Sequence, residues 1–395
     1  MYGGAEDSHS KSKESDAAVA SLRWKGCDAG SSAGFPLRFS HDRKRETWRW
    51  TLEMRDRLRE QETQLMDAKY EAAPELTVIV TVYKRLEYLD TALKSLRNQT
   101  CHLFDAIVTD DSNNSEIAQI CSRFDKGSVR YRANPIPLGV AENVRLVAQG
   151  ASTEYIAILN DDDCWEPEYV ESLLLPLQKN PNAVLAFGDH WIIDAEGRID
   201  VAASDRNTIH YRRHLLRDGV LTDWVSQAVI GQSIPLAMAA VFRKNAINWA
   251  LVDSEVGGAY DFWIACLLAA TRRPAIYVNR RLSRYRIHAA METARQAFDK
   301  NQEMVVIWDR IFRLNFFSEF KYLIERKLAQ ALLTSGRYSL VYGRRNEARA
   351  YFLRSFRIVW SAKAIAGVIF SIPPFNLLLR CATFISRYAR RIISR

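Results

Sequence analysis

Two acidic runs, Asp110-Asp111 and Asp161-Asp162-Asp163, each close an apolar, β-branched stretch of this 395-residue sequence. Carboxylates at a strand end often do no more than cap a helix or form a turn. Asp110-Asp111-Ser112-Asn113-Asn114 reads equally well that way. The second run is harder to explain so. Three adjacent carboxylates repel one another, and crowding them beside a buried strand costs stability unless something neutralises them. A hard divalent cation, Mg²⁺ or Mn²⁺, would do it, because it prefers oxygen ligands and leaves room for water and phosphate.

The elements that must position these acids can be read from the hydrophobic pattern. After Pro74, Leu76–Val82 has the composition of a buried parallel strand, and Leu89, Ala92, Leu93 and Leu96 recur at helical spacing. Further strands are predicted over Phe104–Thr109, Val129–Arg132, Tyr155–Leu159 and Ala183–Phe187, separated by helices around Ile117–Cys121 and Ala141–Ala148. Glu196-Gly197 marks a hairpin between Trp191–Asp194 and Arg198-Ile199. This β-α-β alternation predicts an α/β, doubly wound sheet, in which ligands sit beyond the carboxyl ends of the strands. Both acidic runs fall at such ends. Residues 1–72 read as a disordered, then charged helical lead, residues 73–295 as the catalytic unit, and residues 296–395 as a helical C-terminal region.

Composition is that of a globular protein with a sizeable core, at 48% apolar residues and a net charge of +9. The six cysteines show no CxxC and no paired spacing, which argues against a zinc module or a disulfide framework and suits a reducing compartment. No apolar stretch approaches the ~20 residues of a spanning helix, and the N-terminus has no apolar core of a signal peptide. The expected location is therefore the cytoplasm.

The segment from Leu76 to about Thr293 resembles a family 2 glycosyltransferase of the GT-A fold, with a Rossmann-like nucleotide-binding half. The matching pieces stand in that family's order: Thr77–Tyr83, Ser95–Thr100, Val108–Ser112, Leu138–Asn143 and Glu154–Pro167. The resemblance implies an inverting enzyme that uses a nucleotide-sugar donor. It places Thr81, Val82 and Tyr83 against base and ribose, Asp110 or Asp111 on the base, and Asn143 and Asp161 on the donor side. The DxD metal motif falls on Asn160-x-Asp162, with Asn where Asp is usual, so Asp162 becomes the main metal ligand, with Asp163, Asn160 and Asp161 in support. Inversion needs a base for the acceptor hydroxyl. The resemblance assigns that role to Asp261 in Gly257–Ala265, with Asp253 and Glu255 as alternatives; from the residues alone, Asp261 reads also as an acid placed against a helix dipole. Leu282–His288 resembles the motif closing the catalytic domain, which turns His288 and Arg286 toward metal or diphosphate; a lone His is also commonly structural. Trp224 and Gln232 are candidates for the acceptor side.

Two competing functions follow from the same residues. A nucleotidyltransferase would use a similar metal, yet Thr81-Val82-Tyr83-Lys84-Arg85 lacks the glycines of a phosphate loop. A non-catalytic nucleic-acid or lipid binder would use the positive charge but leaves the acidic cluster unexplained, and nucleic acid is not expected as a partner. The expected acceptor is a saccharide or a lipid-linked saccharide. For the tail, Ala364–Phe370 and Leu377–Ile385 are apolar, too short to span a bilayer, and flanked by arginines. Peripheral attachment to an anionic inner membrane face is expected. A helical subdomain packed on the catalytic core explains the same pattern.

Overall fold

A computed structural model of the chain describes residues 73–83, 85–124, 129–288 and 297–372. The N-terminal lead and the Leu377–Ile385 run lie outside the described residues. Strand β1 (Leu76–Val82) is buried along its whole length and pairs in parallel with β2 (Phe104–Asp110) on one side and β4 (Tyr155–Asn160) on the other. Its β-branched side chains alternate between the two faces of the sheet. Val78, Val80 and Val82 pack with Leu89, Leu93 and Leu96 of helix α1 (Leu89–Arg97), whereas Ile79 packs with Ala141, Val144 and Ala148 of helix α3 (Val140–Gly150). Both faces being covered, no polar position within the strand is exposed to water, as a parallel sheet requires.

Helix α2 (Ser115–Cys121) leads to the edge strand β3 (Val129–Ala133). Beyond β4 the sheet becomes mixed. The short β5 (Cys164–Trp165) and helix α4 (Tyr169–Lys179) precede β6 (Leu185–Ile193), which forms a hairpin with β7 (Ile199–Asp200). Then come helix α5 (Val201–His210), β8 (Gly219–Leu221), helices α6 (Val225–Val229) and α7 (Leu236–Ala239), and β9 (Ala240–Arg243). Strand β9 runs antiparallel between β4 and β6. Helix α8 (Tyr260–Ala270) and the long β10 (Ala275–Arg286) complete the unit, giving the order β3-β2-β1-β4-β9-β6-β10-β5. Because β6 and β10 run parallel to β1 and β4, the carboxyl ends of all four lie at one edge of the sheet.

Two details of pairing position the site. The register sets Val82 opposite Asp110 and Thr81 opposite Asn160, so three strand ends form one row. Strand β5, one residue beyond the acidic run, pairs antiparallel with the end of β10, with Ser283 opposite Trp165 and Arg284 opposite Cys164. The acidic turn is therefore held at both ends, by β4 and by β10.

Among the described residues four α-helices follow: α9 (Ala297–Leu314), α10 (Lys321–Val341), α11 (Arg345–Ile358) and α12 (Ala362–Phe370). The first two share a core with the sheet unit. Val305, Ile307, Trp308, Ile311, Ile324 and Leu328 join one buried cluster with Trp263 and Val256, and the Trp308 ring lies 5.5 Å from Phe262. Glu303 of α9 reaches the turn before α8, accepting the Gly258 N–H at 3.0 Å. Gly257 in that turn has φ +50°, a backbone conformation that favours glycine, and a Cβ there would meet the Glu303 carboxylate. At the far end, Phe352 of α11 is buried against Gly336 and Gly367, and α12 turns Ala364 inward while Ile365 and Ile369 stay exposed. Among the described residues no helix is long and apolar enough to cross a membrane.

A core shared between sheet and helices makes one folding unit. Replacing Trp308 by Ala should lower stability by about 3–5 kcal/mol and shift a single cooperative transition. Thermal unfolding followed by tryptophan fluorescence and by backbone circular dichroism checks this. An independently folded helical unit would instead give two transitions, only one of them moved.

Candidate active site

The three consecutive carboxylates at the end of β4 point three ways. Asp161 is fully buried; its Oδ2 accepts the Tyr83 N–H at 3.2 Å and its Oδ1 lies 2.6 Å from Arg85 Nη2. Asp162 meets the same guanidinium from its other nitrogen: its Oδ2 lies 2.6 Å from Arg85 Nη1 and 3.0 Å from His288 Nε2. Asp163 turns inward. It accepts the Arg286 N–H at 3.0 Å and the Asn160 side-chain amide at 3.0 Å. The remaining Asn160 oxygen accepts the Thr81 hydroxyl at 3.2 Å, so the Asn160 side chain is committed within the turn.

Charge explains this arrangement. Burial pushes Asp161 up to about 7 even against the pull of Arg85. Burial, with the Asp162 charge added, raises Asp163 well above the ordinary carboxylate range. The crowding that seemed to demand an external cation is thus relieved by a resident one, Arg85, and by hydrogen bonds to Asp163. Sequence reasoning passed over Arg85; the available signal was a basic residue three positions beyond the first strand.

Arg286 acts as a clamp. Its Nε donates to Asp162 O at 2.8 Å, and its Nη1 donates to Asp194 O at 3.1 Å and Ala195 O at 3.0 Å. The Tyr88 ring covers the guanidinium at 4.5 Å and lies 5.0 Å from the His288 ring. The acidic turn, the end of β6 and the end of β10 are fixed to one another by this one side chain. A fixed His288 beside Asp162 is the result.

The second acidic pair lies one row over. Asp110 accepts the Ser112 and Asn114 N–H groups and the Tyr131 hydroxyl, at 2.7, 2.8 and 2.9 Å. Asp111 accepts Asn134 Nδ2 and the Leu138 and Gly139 N–H groups, at 2.9, 2.8 and 2.8 Å. Asn143, buried, takes the Thr109 hydroxyl and Asn134 Nδ2. Asp110 therefore shapes the turn after β2, and Asp111 holds the start of α3. Thr81 and Val82 are buried at the end of β1, and Tyr83 is 46% exposed just beyond it.

Asp261 stands in the first turn of α8, part-buried, accepting the Phe262 N–H at 2.7 Å. Burial pushes its carboxyl up to about 6. The alternatives are engaged elsewhere: Arg310 of α9 pairs with Asp253 at 2.9 Å and with Glu255 at 2.5 Å. Tyr260 links this helix to the acidic turn. Its phenol is buried without a hydrogen-bond partner among the described residues and is raised by burial and by the charges of Asp261, Asp163 and Asp162.

The two acceptor-side candidates separate. Trp224 is buried, and its indole donates to Arg273 O at 2.9 Å, just before β10 begins and thus at the sheet edge opposite the acidic turn. Gln232 sits in the turn between α6 and α7 with φ +51°. Deeper in β6, Asp189 forms a buried ion pair with Arg213 at 3.0 Å, which anchors the segment following α5.

Among the described residues no three His, Cys, Asp or Glu side chains form a preformed metal cage. Asp162 and His288 nonetheless converge, and two protein donors suit a hard cation that takes its other ligands from water and phosphate. Such a pair fits a divalent metal bound together with a diphosphate.

Comparison with known proteins adds identity to this geometry. Residues 77–226 match the model described as Glycosyl transferase family 2. An uncharacterized glycosyltransferase of Haemophilus influenzae is 23% identical over 59% of this chain and 71% of its own length. A GalNAc(5)-diNAcBac-PP-undecaprenol beta-1,3-glucosyltransferase of Campylobacter jejuni is 22% identical over 77% of this chain and 96% of its own. The crystal structure of Staphylococcus aureus TarS 1-349 with UDP-GlcNAc superposes with a TM-score of 0.51 at 13% identity, over 75% of this chain and 89% of that one. It shares the GT-A fold.

Proposed function

We propose, from its membership of glycosyl transferase family 2 through residues 77–226, that this chain transfers a sugar from a nucleotide-sugar donor to a hydroxyl acceptor with inversion. The observation that carries the proposal is the convergence of Asp162 and His288, 3.0 Å apart, beyond the carboxyl ends of β4 and β10. On this reading Asp162 with His288 takes the diphosphate side, and Asp261, with its raised carboxyl, takes the acceptor side.

In this reading the nucleotide lies over the ends of β1 and β2, near Thr81, Val82, Tyr83 and the loop held by Asp111. Asn143 supports that loop from below, and Asp161 holds Tyr83 through its N–H. The acceptor oxygen attacks the anomeric carbon as the bond to the diphosphate breaks. Asp261 takes the acceptor proton, and the nucleoside diphosphate departs with the bonding electrons. Asp162 and His288 are the residues to hold Mg²⁺ or Mn²⁺, which would supply charge stabilisation to the departing diphosphate. Asp163 and Asn160 shape the turn that aims Asp162. Gln232 remains the candidate for the acceptor side.

The name of the Campylobacter relative supports a lipid-linked saccharide as acceptor; polysaccharide assembly is the setting that goes with this reading. Peripheral attachment at the inner face of an anionic membrane belongs to the same reading. Ile365, Ile369 and Ile372 are exposed near Trp360, which is 71% exposed. Full-length protein should co-sediment with vesicles containing anionic lipid and not with purely zwitterionic ones; equal recovery in the supernatant with both would remove the membrane from the account.

Asp261 provides the direct test. Its value of about 6 lies above the ordinary 3.8, so the folded protein binds the extra proton between those values and loses stability as pH rises through that window. Asp261→Asn should therefore cut kcat at least about a hundredfold with little change in donor affinity. It should also stabilise the fold near pH 7.5 by on the order of 1–2 kcal/mol. Wild-type kcat should fall as pH drops below about 6. A variant with normal kcat, or one that loses donor binding instead, would move Asp261 out of the base role.

A further inference from the structure

Arg85 holds the carboxylate that a divalent cation at Asp162 and His288 would need. One guanidinium spans two carboxylates, with Nη2 2.6 Å from Asp161 Oδ1 and Nη1 2.6 Å from Asp162 Oδ2. The Asp162 oxygen it holds is the one that His288 approaches to 3.0 Å. A metal taking Asp162 and His288 together would bring two positive charges against that guanidinium. Arg85 lies beyond the end of β1, outside regular structure, and its side chain is 19% exposed. It can swing without breaking a strand.

We infer that Arg85 is a displaceable resident cation: it holds the metal position in the donor-free protein and moves onto the donor's phosphates, opening Asp162 and His288 to the metal. A guanidinium is well matched to this exchange, because its planar fork pairs with phosphate as readily as with carboxylate. Asp161 keeps its bond from the Tyr83 N–H after the exchange, and the arriving metal restores positive charge beside it. The consequence is an order of assembly, nucleotide before metal. A protein built this way does not scavenge metal when no donor is present. This inference rests on the metal-assisted reading of the same site and adds the identity of the group that gates it.

The experiment measures Mn²⁺ bound by full-length protein in equilibrium dialysis, with and without UDP or GDP, against nucleotide-only controls. Wild type should bind Mn²⁺ weakly alone and at least about tenfold more tightly with a nucleoside diphosphate. Arg85→Gln removes the charge and leaves a shorter polar side chain; without nucleotide it should bind Mn²⁺ at least about tenfold more tightly than wild type. Arg85→Lys, which keeps the charge but lacks the two-nitrogen fork, should fall between them, and melting curves establish that both variants are folded. Equal nucleotide-free affinity in wild type and both variants, with wild type still taking Mn²⁺ alongside UDP or GDP, overturns the inference and leaves the metal reading standing. No Mn²⁺ bound by any form, even with nucleotide, overturns both.

Discussion

Three carboxylates in consecutive positions at the end of a buried strand cannot all face the same way. The rest of the site follows from how they are separated. Strand register places Asn160 beside Thr81, which fixes where the turn starts. The β5–β10 pairing fixes where it ends. Between those limits Asp163 is drawn inward by the Arg286 N–H and the Asn160 amide, Asp161 is held by the Tyr83 N–H and Arg85, and Asp162 alone is left to meet His288. The turn is therefore a device for presenting one carboxylate, with two others used to hold it. Burying them is tolerable because two arginines and several N–H groups surround them; an unpaired buried charge would cost several kcal/mol.

The same logic governs the other half of the site from a different direction. Among the described residues Asp261 has no ion pair, and its raised carboxyl reflects burial on a helix that is apolar on nearly every side. The helix is held in place by the C-terminal region: Glu303 bonds to the turn before it, Trp308 packs on Phe262, and Arg310 draws Asp253 and Glu255 away. Helices outside the sheet unit thus decide which nearby acid is left unpaired. Tyr260, one residue before Asp261, brings a buried hydroxyl into the electrostatic reach of both acid sites.

Much of this was legible in the sequence, and the exceptions have physical causes. β1, β2 and β4 are readable because strands buried on both faces are continuous β-branched runs. The hairpin at Glu196-Gly197 is readable because Gly197 supplies the positive φ that the turn needs. β9 escaped notice because a four-residue Ala-Val-Phe-Arg run carries no pattern that distinguishes an inserted antiparallel strand from core helix. At the site, the acidic turn and His288 stood out by residue type. Arg85 did not, because a single arginine in a loop is chemically ordinary until the fold places it against two carboxylates. Asp110 and Asp111 look alike in sequence, yet one closes its own turn and the other reaches the start of α3, a difference set by the loop geometry after β3.

The central claim is that this sheet edge binds a nucleotide-sugar donor together with a divalent metal. A thermal-shift screen of UDP-, GDP- and TDP-sugars, each with and without Mn²⁺, tests it most directly, since any ligand that binds only the folded state raises the melting temperature. One nucleotide class should give a clear rise that grows with Mn²⁺ and disappears in Asp162→Ala. Melting temperatures that ignore every nucleotide, or that rise equally in wild type and Asp162→Ala, would contradict the account.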